Sequence, residues 1–345
     1  MKLTRIAASI VFTAGAGMTA SAFAAEDGVK ISGFVDLNLE RLSTPQNSVS
    51  RVSSGGLNAS RLVFSGQEDL GGGNQAFFAH QMQFAADTGV GPAPRETYVG
   101  LKGEWGALSL GRQNTPSYWI AAYADPSWSA DYSLVSNMQF FYAPYRENNS
   151  ILYVTPTISG FKGRFMATAG QEDGTKNGRV VSTGVEYRDG PLYAGLVSDQ
   201  KYLKNINSSN IESSRDNYFS LAYRFGGIEP TLIYHTYNGY YAYPPYVGFQ
   251  SKGWDLQLGA RWNIDEINSV YASFVHKKDS NNVKLSDADG FLVGYGYKFS
   301  KRTNLYANYG RINIKNNPLV AYPLSFNSSG AAPDKGVQLG IRHAF

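Results

Sequence analysis

The 345-residue chain contains no cysteine, which excludes disulfide scaffolds and thiolate metal sites at the outset. Charged residues make up 17 % of it against 43 % hydrophobic and 14 % aromatic, a balance foreign to disordered chains. Histidine is scarce as well. His80, His235, His276 and His343 fall in four separate segments, and no Ser-His pairing or His/Asp/Glu spacing marks a catalytic or metal site. A lipase built on a membrane barrel therefore lacks its catalytic groups. No cofactor is expected either, because Gly71-Gly72-Gly73 lacks the Lys-Ser/Thr continuation of a phosphate loop and reads as a turn.

Long apolar runs are confined to the amino terminus. Lys2 and Arg5 precede a stretch of apolar and small residues from Ile6 to Ala22, and Ala22-Phe23-Ala24 has the small-x-small form of a signal peptidase site. Residues 1–24 read as a signal peptide, with cleavage after Ala22 as the other site. Its removal leaves 29 basic against 27 acidic residues, too even a balance for nucleic-acid binding. In the remaining 25–345, nothing approaches the ~18 apolar residues of a membrane helix. A membrane-spanning chain of this kind must be a barrel.

What is present is alternation. From Ile31 the residues Ile31, Gly33, Val35, Leu37 and Leu39 take one parity and Ser32, Phe34, Asp36, Asn38 and Glu40 the other, and the same dyad recurs at 254–262, 291–299 and 337–345. Tight turns rich in Gly, Asp, Asn and Pro fall at 69–74, 103–106, 156–160, 188–191, 226–230, 263–268 and 300–303. Longer polar stretches lie between them, near 42–57, 86–94, 114–145, 170–179, 199–216, 238–251, 278–288 and 314–334. Short and long connections thus alternate, which predicts an all-β, about sixteen-stranded antiparallel transmembrane barrel. Tyr98, Tyr153, Tyr187, Tyr223, Phe225, Trp254, Trp262, Tyr297, Phe299 and Phe345 cluster near strand ends and read as aromatic girdles.

The segment 60–73, SRLVFSGQEDLGGG, resembles the second strand and first tight turn of the trimeric general porins of Gram-negative bacteria, β-proteobacterial branch. So do RETYVGLK followed by GALSLGRQ (95–113), RENNS (146–150), SKRTNLYANYG (300–310) and the ending GIRHAF (340–345), in family order over nearly the whole mature chain. The resemblance implies a homotrimer of sixteen-stranded barrels in the outer membrane, passing ions and small hydrophilic solutes. It also implies that the third long connection, 114–145, folds back into the barrel as a constriction loop, with Tyr118, Tyr123, Asp125 and Asp131 among its residues. Trp119, Trp128, Tyr132 and Tyr142 belong to the same stretch.

Parity assigns the wall, because an Arg or Lys facing lipid at the midplane costs roughly 2–4 kcal/mol. Leu62 and Phe64 point out, which turns Arg61 inward. Arg95, Gln81, Arg146 with Asn148, Lys162, Arg164, Arg224, Arg261, Lys298 and Arg342 follow, and Asp36, Glu40, Glu186 and Asp255 are the acids of that parity. Arg61, Arg95 and Arg146 match family positions on the basic side of the constriction, so anion preference is expected. Arg112 has outward parity with Leu108 and Leu110. The family comparison implies that it lies at a subunit interface, paired with Glu96 or Glu68 of a neighbour. Phe345, with Val337, Leu339 and Ile341 on its parity, resembles the signal read by the barrel-assembly machinery, and outer-membrane lipid and lipopolysaccharide are the expected surroundings. The other function left open is an adhesin or structural barrel whose long loops bind a partner, with Tyr237 to Tyr246 as its surface.

Overall fold

The structure, a computed structural model, describes residues 28–140, 145–242, 248–280, 287–315, 322–325 and 333–345. The expected signal peptide, 1–24, and Tyr142 lie outside the described residues. Among the described residues seventeen strands form one sheet. They are β1 (Gly28–Ser43), β2 (Ser48–Ser54), β3 (Arg61–Gly71), β4 (Asn74–Gln83), β5 (Ala93–Gly103), β6 (Gly106–Asn114), β7 (Arg146–Val154), β8 (Phe161–Thr168) and β9 (Val180–Asp189). Then follow β10 (Leu192–Lys204), β11 (Ile211–Tyr223), β12 (Ile228–Ala242), β13 (Gly248–Asn263), β14 (Asn268–Asp279), β15 (Ala288–Lys298), β16 (Thr303–Ile314) and β17 (Lys335–Ala344).

From β3 onward each strand pairs antiparallel with the next. β17 returns to β1 along Phe34–Ser43 and closes the ring. The other edge of β1 is shared: β3 pairs with Gly28–Phe34 and β2 with Leu37–Ser43. Since β2 and β3 lie end to end on one edge, the seventeen segments make sixteen staves, the expected number. Phe345 completes the seam, exchanging backbone hydrogen bonds with Gly33 at 3.2 Å in both directions while its ring lies over that glycine.

Burial is inverted relative to a water-soluble protein. Ile31, Leu39 and Val99 are 59 %, 64 % and 58 % exposed, whereas Asp36, Gln257 and Gln338 on the opposite parity are at 0 %. A wall that is apolar outside and polar inside is what lipid on one face and water on the other select. Tyr223, Phe225, Trp262, Phe299 and Phe345 stand on the outer face as expected. Tyr98 does not: with Val99 and Leu101 outward it turns inward, its ring edge-on to Phe77.

All seven expected tight turns are found, and in the first the backbone of Gly72 and Gly73 takes φ of 60° and 78°, where a side chain is strained. Three expected long connections are shorter. The stretch 42–57 contains β2 and a turn at 44–47, and 199–216 and 238–251 are mostly the ends of β10 to β13. There the ladder continues beyond the apolar belt into water, so both faces are polar and the dyad vanishes from the sequence while the strand goes on.

The connection 114–145 folds into the barrel. Thr115 caps a helix, α1 (Pro116–Ala124), its hydroxyl accepting from the Tyr118 N–H at 3.2 Å, with Pro116 supplying a favourable first-turn φ. A short π-helical turn, Val135–Gln139, follows. Neither was expected from the sequence pattern. The segment packs on the inner wall in two apolar clusters. Ile120, Ala121, Ala124, Val135 and Phe140 meet Val197, Tyr218 and Ile233, while Tyr132, Leu134 and Met138 meet Tyr271, Val275, Leu292 and Ile312. Each large side chain so covered contributes about 1.5–3 kcal/mol.

The wall is thinned where the loop rests. A Cβ on Gly184 or Gly195 would come within 2.7 Å of Ile120, on Gly259 within 2.4 Å of Pro126, and on Gly290 within 2.6 Å of Met138. Gly195→Leu should therefore unseat α1 at a cost of about 1–3 kcal/mol. Limited proteolysis of the folded barrel checks it: cleavage within 114–140 should appear in the variant and be absent in the parent chain.

Candidate functional site

Arg261, expected on the lumen wall, is the clamp of the loop. Its Nε donates to the Pro126 carbonyl at 3.0 Å and its Nη2 to the carbonyls of Tyr123, at 3.0 Å, and Asp125. These include carbonyls at the end of α1, which lack helical partners and carry the negative end of its dipole. Nη1 pairs with Glu229, which Arg224 also holds at 2.9 Å.

With the loop fixed against β9 to β16, the passage runs on the other side. A cavity of about 440 Å³ is lined there by Arg51, Arg61, Arg95 and Arg146 of the wall and by Tyr118, Trp128, Ser129, Asp131 and Tyr145 of the loop. The three arginines predicted for the basic side, Arg61, Arg95 and Arg146, are thus brought together, close enough to repel one another. A bulge makes this possible. His80 pairs with Thr97 and Met82 with Pro94, so Gln81 stands opposite two residues, Arg95 and Glu96, and both turn inward. Gln81 accepts from Arg61 at 3.4 Å and donates to Glu96 at 2.8 Å, and Arg95 donates to Gln83 at 2.7 Å. The same bulge corrects the expected role of Glu96. Buried and accepting the Asn114 N–H, it cannot reach a neighbouring subunit.

What sets these arginines apart is the lack of a direct ion pair. Among the described residues Arg61, Arg95 and Arg146 form none, and Glu96 meets Arg61 only through Gln81. Most of the inward acids are committed elsewhere, and Asp87 lines the cavity with Asp131. Asp36, expected on the open pore wall, is fully enclosed: it accepts from the Gly56, Leu57 and Asn58 amides and from the Tyr306 hydroxyl at 2.6 Å, bracing the break between β2 and β3. Glu40 takes Arg51 at 2.6 Å and Tyr132, Glu186 takes Arg164 at 2.9 Å and Arg188, and Asp255 takes His235 and Lys277. Asp125, expected as a loop acid facing the pore, is also buried, holding Ser127, Ser129 and Ser133 in a tight knot. Asp131 does line the cavity, where Gln338 donates to it at 2.9 Å.

Lys162 and Arg164 do not line this cavity. Arg164 belongs to a second basic group beside α1, in which its guanidinium lies 6.0 Å from the Trp119 ring and Arg188 lies 3.8 Å from that of Tyr123. Arg112 faces outward as its parity required, but its partner is Asn148 at 2.6 Å, so Asn148 also faces outward rather than into the lumen. The positive φ of Asn149, 51°, and a register shift opposite Arg112 reverse the parity there. Arg51 and Arg188 were missed because both sit in stretches read as connections. Of the Tyr237 to Tyr246 surface, Tyr237, Tyr240 and Tyr241 are 2 % exposed and pack inward, while 243–247 lie outside the described residues.

A family model described as Gram-negative porin matches residues 8–317. The chain is 29 % identical to outer membrane porin protein 32 of Delftia acidovorans over 100 % of both chains. It is 26 % identical to major outer membrane protein P.IB of Neisseria gonorrhoeae over 76 % of this chain and 81 % of that one. Among solved structures it is similar to the anion-selective porin from Comamonas acidovorans, with a TM-score of 0.81, 25 % identity and coverage of 93 % of this chain and 100 % of that one.

The clamp geometry yields a measurable consequence. Arg261→Ala should accelerate amide exchange of residues 116–128 by about ten-fold or more, since several charge-assisted bonds are lost, while strand amides stay protected. Unchanged exchange there would mean that apolar packing alone seats the loop.

Proposed function

The chain belongs to the Gram-negative porin family, a family of outer-membrane channels, and we propose that this member prefers anions and works as a homotrimer. The observation that carries the preference is the set of three arginines outside any ion pair, facing a loop whose acids, Asp125 and Asp131, are hydrogen-bonded. One unit charge ~7 Å from a passing ion in water-like dielectric contributes ~0.6 kcal/mol, and three together give a several-fold bias rather than tight binding. The open arm of the narrow section is basic on the wall side, and Arg342 extends it, sharing the Phe34 ring with Arg61 at 4.2 and 5.1 Å. The anion selectivity named for the Comamonas porin points the same way.

Trimer formation rests on the outer wall between β4 and β7. His80, Thr97, Arg112 and Asn148 form a polar patch on a face that is otherwise apolar, with His80 to Thr97 at 2.8 Å. Polar groups facing lipid are costly, and a second copy of the chain covering them removes that cost. Glu68, exposed near the first tight turn, stays available as a partner for Arg112. Phe345 is the candidate contact for the barrel-assembly machinery, and its 47 % exposed position on the outer face suits that role.

Two measurements test this reading. In planar bilayers under a salt gradient, the parent protein should show a reversal potential on the anion side at low salt, and Arg61→Ala/Arg95→Ala/Arg146→Ala should move it toward cations and raise the conductance. At ~1 M salt, where the screening length is ~3 Å, most of the preference should vanish. A parent protein already on the cation side would refute the arginine assignment. For the assembly, Arg112→Ala should lower the temperature at which the detergent-extracted trimer dissociates by several degrees, and a particle of one-chain mass in the parent protein would refute the trimer.

A further inference from the structure

Between Thr115 and Phe140 the loop is buried except at five side chains, Tyr118, Trp119, Tyr123, Trp128 and Ser129, and four of those five are aromatic. Three of the four rings have a guanidinium beside them. Arg164 lies 6.0 Å from Trp119, Arg188 3.8 Å from Tyr123 and Arg261 4.2 Å from Trp128, and Tyr118 lies within the field of Arg61 and Arg95. Tyr118 and Trp128 line the same 440 Å³ cavity as Arg61, Arg95 and Arg146. The backbone around Trp128 and Ser129 is held at φ of 55° and 57°, a conformation fixed by the Asp125 knot that presents the indole to the cavity.

We propose that this cavity is a binding site for aromatic carboxylates. The carboxylate is received by the terminal guanidinium nitrogens of Arg61, Arg95 or Arg146, which line the cavity and are held in no ion pair among the described residues. The attached ring stacks on Tyr118 or Trp128. The volume falls within the ~300–1,000 Å³ range of small-ligand sites. A simple inorganic anion uses only the charge, so it is passed; an aromatic acid uses charge and ring together, so it is retained. The inference rests on the anion preference proposed above and adds the solute class.

The test compares two acids of equal charge and similar size, benzoate and cyclohexanecarboxylate, as blockers of chloride conductance through the full-length protein in planar bilayers at low salt. Benzoate should act at roughly three- to ten-fold lower concentration. In Tyr118→Leu/Trp128→Leu that ratio should fall to near one, whatever the variant's own conductance, and in Arg61→Ala/Arg95→Ala/Arg146→Ala both acids should lose their effect. Equal potency in the parent protein, with its reversal potential on the anion side, would overturn the aromatic site and leave the anion channel standing. A reversal potential on the cation side would overturn the reading beneath it. A ratio that survives the double leucine substitution would overturn the assignment to these rings, and the parent comparison decides the main point even if a variant fails to fold.

Discussion

In hydrocarbon no backbone N–H or C=O can be left without a partner, and the rest of this structure follows from that requirement. A sheet satisfies it only by having no edge, so the last strand must find the first. Here the meeting strand, β1, carries two partners on one side and one on the other, and the chain's final residue locks onto Gly33. Once the ring is closed, alternation leaves each side chain one of two solvents. Ile31, Leu39 and Val99 go to lipid, and Asp36, Gln257 and Gln338 go to the interior.

Closure also creates a problem that the loop 114–145 solves. Sixteen staves enclose more space than their own side chains fill, and a polar lumen of that width would discriminate little. The loop divides it unequally. One flank is filled by apolar packing on a glycine-thinned wall and by the Arg261 clamp, and the other leaves a cavity lined by the arginines of β3, β5 and β7. The charges that remain active are those the fold has left unpaired. Counting acids and bases on the lumen parity would have predicted a much weaker field, because the acids counted there are hydrogen-bonded or ion-paired to neighbours.

The dyad pattern, the turn residues and the inward arginines were readable in the sequence because each is a local signal with a fixed period. What escaped it was of three kinds. Bulges at 95–96 and near Asn149 each add one residue to a strand, and a single extra residue reverses parity, so Glu96 and Asn148 were placed on the wrong face. The fates of Asp36 and Asp125 depend on partners 20 to 270 residues away or on a local knot, and neither leaves a trace in periodicity. The third miss had a signal that went unused. Val197, Ile233, Val275, Leu292 and Ile312 are apolar residues on the lumen parity, and a wet wall has no use for them. Their presence on strands β10 to β16 marks the wall on which something must lie.

Tyr322 and Leu324, from the last long connection, pack in the same cluster as Tyr132, Leu134 and Met138, and the Asn137 amide donates to the Leu324 carbonyl 187 residues away at 2.7 Å. Contacts so distant in sequence are slow to form, because the intervening chain must first be ordered. The loop's final seat therefore depends on the connection between the penultimate and final strands as well as on its own neighbours, and the width of the passage is held from both ends of the chain.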